Sequence, residues 1–229
     1  MSKHTRLTTK MALALLFLSL VTLTSCGFVF PPPKASPSPP EIHIPSPPDV
    51  SPTTVVTIPE DRPLLLSEDL LDTKVVGGIV LIREDGLKVK GCEFIDAQLI
   101  IENAADVTVE DSAFRDRYRH EQAAITVYRG SRVTVSHNLI QGNYIGIGVH
   151  ERGEVTIRYN TFLDNLGHNA VTIDLGSTGE IYHNYFCNSF PHAVLIGTGH
   201  LNGAIEVYEI GSNTAWRTQS TSRTSPPRP

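Results

Sequence analysis

The 229-residue chain predicts an all-β solenoid, a parallel coil of about six turns. Two observations lead there. The first is a short template that returns along the chain. Residues 132–143 read R-V-T-V-S-H-N-L-I-Q-G-N, and residues 154–165 read E-V-T-I-R-Y-N-T-F-L-D-N. Both place apolar residues at places 0, 2 and 7 of the template and asparagine at place 5. The second is the stretch that follows each template, A-I-T-V-Y, I-G-I-G-V-H, A-V-T-I-D and A-V-L-I-G. These stretches alternate with period 2 and are rich in β-branched residues, which marks a strand. Self-similarity at a period of two dozen residues is the signature of stacked repeats.

The elements follow in chain order. Lys3, Arg6 and Lys10 precede an apolar run from Met11 to Leu23, which is too short to span a bilayer and suits a secretory segment. The run ends in Leu23-Thr24-Ser25-Cys26, which resembles the lipobox of bacterial lipoproteins. The resemblance implies removal of residues 1–25 and acylation of Cys26. It also implies a membrane-anchored, extracytoplasmic chain, in the periplasm, at the outer membrane or at the cell surface. Gly27 in place of Asp points to outer-membrane delivery in a Gram-negative cell.

Residues 26–53 then form a proline-rich stalk. P-P-P-K-A-S-P-S-P-P at 31–40 cannot join a sheet interior, because proline fixes φ and lacks the donor. It predicts an extended spacer of about 3.1 Å per residue. The folded domain is read as residues 54–216, and 217–229 as a disordered tail.

Inside the domain, T-T-V-V-T-I-P and K-V-V-G-G-I-V-L-I are the lead-in strands, and residues 54–72 are expected to cover the N-terminal end. The template then begins at Leu87, Val107, Val133, Val155, Gly179 and Gly203. Place 7 is Phe94, Phe114, Ile140, Phe162, Phe186 and Ile210, a column that would fill the bore. Place 5 holds Asn138, Asn160 and Asn184, which predict an amide ladder with a structural role. A leucine-rich repeat shares the template's spacing but would follow it with a helix, where this chain has a strand. The pattern therefore resembles the right-handed parallel β-helix repeats of the pectate-lyase-like family over residues 75–213. That family hosts lyases, hydrolases, epimerases, adhesins and binding modules, so the resemblance implies fold and leaves function open.

Aligning the second strands gives columns of outward positions. Two hold small residues: Ala124, Gly146, Ala170 and Ala193, then Thr126, Gly148, Thr172 and Leu195. They are read as the floor of a trough. Its rims carry Tyr128, His150 and Asp174 on one side, and Gln122, Tyr144 and His168 on the other, with His120 and His192 nearby. A trough across stacked coils suits an extended polysaccharide. The alternative is a polysaccharide lyase or C5-epimerase. It would use His150 or His168 as base, Arg152 or Arg129 to neutralise a uronate, and Asp174 beside them. Asp116 and Asp164 share place 9 but lie two coils apart, about 10 Å. His137 and His183 share place 4 with Tyr159 between them. No metal site and no cofactor are expected. Net charge −5 without a basic stripe argues against nucleic acid. The C-terminal end after Ile210 lacks a clear cap and is the expected place for a protein partner.

Overall fold

A computed structural model describes residues 45–189, 191–201 and 207–209. Residues 1–44, with the segments read as signal peptide and most of the stalk and with Cys26, lie outside the described residues, as does the segment 217–229 read as a tail. So do Gly203, Ile205 and Ile210.

The described chain winds through three parallel sheets of eight, seven and seven strands, with no helix among the described residues. One coil shows the path. Ala113–Arg115 belongs to the first sheet, Ala123–Tyr128 to the second and Arg132–Ser136 to the third; Leu139–Gln141 then returns to the first, one coil further on. We call these the phenylalanine sheet, the trough sheet and the valine sheet.

Strand pairing follows the template. Phe94, Phe114, Ile140, Phe162 and Phe186 pair in sequence, as do Val89, Val109, Val135, Ile157 and Ile181. These residues are buried and form one continuous core with Leu99, Ile125, Ile147 and Val171 of the trough sheet. Phe94 stacks on Phe114 and Phe162 on Phe186, each with ring centroids 4.5 Å apart. Ile140 separates the two pairs.

The corners are made by residues with positive φ. At the corner after the valine sheet these are Asp72, Gly91, Asp111, His137, Tyr159 and His183; after the phenylalanine sheet they are Gly77, Asp96, Asp116, Gly142, Asp164 and Asn188. Asp, Asn and Gly tolerate this conformation best, which explains why they recur there. Asp116 and Asp164 are thus bend formers.

Just past the first corner, Asn138, Asn160 and Asn184 form the expected ladder. The backbone N–H and side-chain amide of Asn138 donate to Asn160 Oδ1, both at 3.0 Å; Asn160 treats Asn184 Oδ1 in the same way, at 2.9 and 3.0 Å. Each side-chain amide also donates to a carbonyl of the preceding coil and to the carbonyl two residues before it. Ser112 and Cys92 continue the column at its smaller end.

A second ladder, not read from the sequence, stands at the other corner. Asn143 N donates to Asn165 Oδ1 at 3.2 Å, and Arg117 N donates to Asn143 Oδ1 at 3.0 Å. Its signal is the N that closes both Q-G-N and L-D-N.

The two ends depart from expectation. Residues 54–71, read as lead-in and cover, make a full first coil with one strand in each sheet. This coil is tied to the fourth by charge: Glu60 pairs with Arg119 at 2.6 Å, and Asp96 pairs with Arg119 at 2.8 Å and with the buried Arg117 at 3.3 Å. At the far end the last repeat is out of the template's register. Gly179 pairs with Leu201 and not Gly203, and Phe186 with Glu209 and not Ile210. A terminal strand has a neighbour on one side only, so its pattern alone does not pin its register.

Replacing Asn160 or Asn165 by alanine leaves buried backbone groups without partners and should lower unfolding free energy by about 1–3 kcal/mol each. Urea denaturation measures this; no loss for N165A would show that the second ladder is dispensable.

Candidate functional site

The trough sheet presents its outer face through the column Leu81, Ile100, Thr126, Gly148, Thr172 and Leu195, paired residue to residue. Of the two small-residue columns proposed as floor, only the second faces out. Ala124, Ala170 and Ala193 belong to the buried core. A side chain on Gly146 would meet the Ala170 carbonyl at 2.5 Å and Phe162 at 3.3 Å. That column is small because the phenylalanines need the room. The outward column is not an open floor either: Thr126 and Thr172 are 2% and 6% exposed, and Gly148 is buried.

The rims cover the floor. A side chain on Gly148 would stand 2.7 Å from His150 Nε2, so the imidazole lies back over the glycine. His150 Nδ1 is 2.6 Å from Asp174 Oδ1, and its ring lies 5.4 Å from that of Tyr128. The structure thus joins Tyr128, His150, Asp174 and Gly148 in one group. The opposite rim is a row of rings. Tyr144 contacts Tyr118 at 5.7 Å, His120 at 5.2 Å and His168 at 6.4 Å. Gly167 makes the row possible, since any side chain there would run into the Tyr144 ring at 2.1 Å.

Between the rims, Asn169 is fully buried in line with His192 of the next strand. Its amide nitrogen contacts His168 Nδ1 and donates to Thr172 Oγ1 at 3.3 Å, and its Oδ1 has no protein partner.

Toward the N-terminal coils the same face carries a groove that sequence reasoning missed, lined by Ile79, Leu81, Ile100, Glu102, Tyr128 and Arg129. Its outward aliphatics sit inside near-continuous apolar runs, so their facing cannot be told from periodicity. Glu102 takes two donors from Arg83, at 3.0 and 2.8 Å, and also pairs with Arg129. The Arg83 hydrogen bonds hold the Glu102 carboxyl below the usual range, and those from Arg119 do the same for Asp96. Burial pushes the Tyr128 phenol up.

The other candidates stand apart from this face. Arg152 is exposed at the corner leading to the valine sheet, in a shallow pocket with Arg129 and Glu151. His137, Tyr159 and His183 form a ring stack at another corner, with centroids 5.1 Å apart at both steps. Among the described residues no group of three or more His, Cys, Asp or Glu side chains is placed to hold a metal ion. Cys92 is a buried thiol whose Sγ lies 3.3 Å from the carbonyls of Leu70 and Lys90.

These features define a parallel β-solenoid with one outer face edged by aromatic and histidine rings. The chain belongs to the family described as right handed beta helix region, which matches residues 73–215. No curated protein and no solved structure matches it.

Because Glu102 and Asp96 titrate lower in the fold than in the unfolded chain, their pairing stabilises the domain fully above about pH 4 and is lost as pH falls through the lowered values. Melting temperature should therefore drop on acidification below about pH 4, and D96N/E102Q should flatten that dependence. An unchanged acid profile in the double variant would assign the drop to other groups.

Proposed function

We propose that the protein is an extracytoplasmic lipoprotein, anchored by acyl chains on Cys26, whose β-helix domain binds a carbohydrate polymer along the outer face of the trough sheet. One observation carries this reading: the rings of Tyr128 and His150 on one rim, and of Tyr118, Tyr144 and His168 on the other, contact one another from coil to coil. Coils are spaced about 4.8 Å apart, close to the length of a pyranose unit, so a chain lying along the stack axis meets a ring at each step. Rings offer apolar faces to sugar C–H groups, while their polar edges and Asp174 take hydroxyls. The covered floor moves the contact surface from the small residues to these rims.

One feature favours a second reading, a lyase or C5-epimerase. The Asp174 carboxylate fixes His150 with Nδ1 engaged, leaving Nε2 to take a proton. Against turnover, Arg129 is already paired with Glu102 and Glu151.

The test is a polysaccharide array probed with the full chain. A neutral or acidic glycan should be retained without turnover, and Tyr144→Ala or His168→Ala should weaken retention about tenfold, the value of one good ring contact. If no glycan is retained, or both variants bind as well as the parent, the reading fails. Release of unsaturated uronate that disappears in His150→Ala would establish the enzymatic alternative.

A further inference from the structure

We infer that the outer face of the phenylalanine sheet is a docking face for an extended proline-rich chain, and that residues 45–53 of this same chain fill it as a strap. The outward column of that sheet runs Val55, Lys74, Glu93, Ala113, Leu139 and Thr161, paired in sequence. Its neighbours Phe94, Phe114, Ile140 and Phe162 point into the bore, so this column faces away from the core. Outward positions of a solvent-facing sheet should be accessible. Val55 is, at 66%, yet Ala113, Leu139 and Thr161 are exposed by only 1%, 4% and 3%. Something covers the middle and far part of the column.

The strap is anchored at both ends. Thr53 N donates to the Asp72 carbonyl at 2.8 Å, in the first coils. Thr161 Oγ1 donates to the Pro45 carbonyl at 3.0 Å, although the two residues are 116 apart in sequence, and Pro45 is buried. Length agrees with a direct path. From Val55 to Thr161 is five coil steps, about 24 Å at the parallel-strand spacing. Pro45 to Thr53 is eight residues, about 25 Å in an extended polyproline conformation. An extended chain therefore fits between the anchors with no slack. Pro48, Val50 and Pro52 are half-buried while Ser46, Pro47, Asp49, Ser51 and Thr53 are exposed, as expected of a chain lying with one side against a surface.

Proline suits this place. A chain that crosses a sheet at right angles to its strands gains no ladder hydrogen bonds, so a residue without an N–H loses little there. Its fixed φ also lowers the entropy given up on docking. The strap runs opposite to the winding of the coils: the chain enters beside the strand Thr161–Leu163 and reaches the first strand, Thr54–Thr57, only after passing across four others. Its final residues, read from the sequence as free stalk, are thereby part of the domain, and any free spacer ends before Pro45.

The test places a thiol under the strap, by Leu139→Cys in the full chain, and follows alkylation at that position by peptide mass spectrometry. The intact strap should hold the rate at least about tenfold below that of Val55→Cys, which lies in the exposed part of the same column. Changing Pro45, Pro47, Pro48 and Pro52 to glycine should raise the rate at position 139 at least about tenfold, and a synthetic peptide of residues 45–54 should lower it again. Thr161→Val, which removes one hydrogen bond and keeps the shape, should raise it about threefold. If the thiol introduced at position 139 reacts as fast as the one at position 55 with the strap sequence intact, the strap is not seated, whatever the glycine variant does. Rates unchanged in both strap variants would equally overturn the proposal.

Discussion

Everything in this domain depends on coils stacking in register at the parallel-strand spacing, and register is held at the corners. Backbone ladder hydrogen bonds alone would tolerate a slip, since they are the same whichever residues stand opposite one another. The corner amides do not. Asn160 satisfies a carbonyl below, its own coil's carbonyl and the amide of the preceding coil's asparagine, so a slip of one residue would break several buried hydrogen bonds at once. The left-handed corner residues beside them fix where each strand ends. With register fixed, like falls on like, and the phenylalanines meet as stacked pairs.

The same constraint builds the outer face. A column of identical positions is copied outward as faithfully as inward, so rings that recur once per repeat become a continuous edge. Tyr128, His150 and Asp174 adjoin because 128, 150 and 174 occupy one place of successive coils. Small residues serve this face indirectly. Gly148 lets an imidazole lie flat on the sheet, and Gly167 makes space for Tyr144. The glycines are therefore seats for rings, and the ligand surface we propose is the rings themselves.

Most of the fold was legible before any coordinates. Places 0, 2, 5 and 7 of the template predicted the bore, the strand pairing and the first ladder through five repeats, because stacking converts sequence periodicity directly into contact. The readings that failed did so for separate physical reasons. Facing within the trough strands was assigned by strict alternation, but these strands begin in a corner where alternation breaks, and Ala124, Gly146 and Ala170 turned inward. The second ladder escaped because two asparagines are a thin signal, although Asn143 and Asn165 are both completely buried. The last repeat slipped because no coil beyond it enforces the template.

What the sequence determined by itself is whatever repeats: an all-β coil, its period, the phenylalanine column and the asparagines at the bend. These are local patterns multiplied by stacking, so one strand's chemistry states its neighbour's. Only the tertiary structure decided what happens once. The charge tie between Glu60 and Arg119 and the contact of Pro45 with Thr161 each join residues whose relation no period encodes. They depend on where a side chain turns or where a segment crosses the stack, and distances in space settle those.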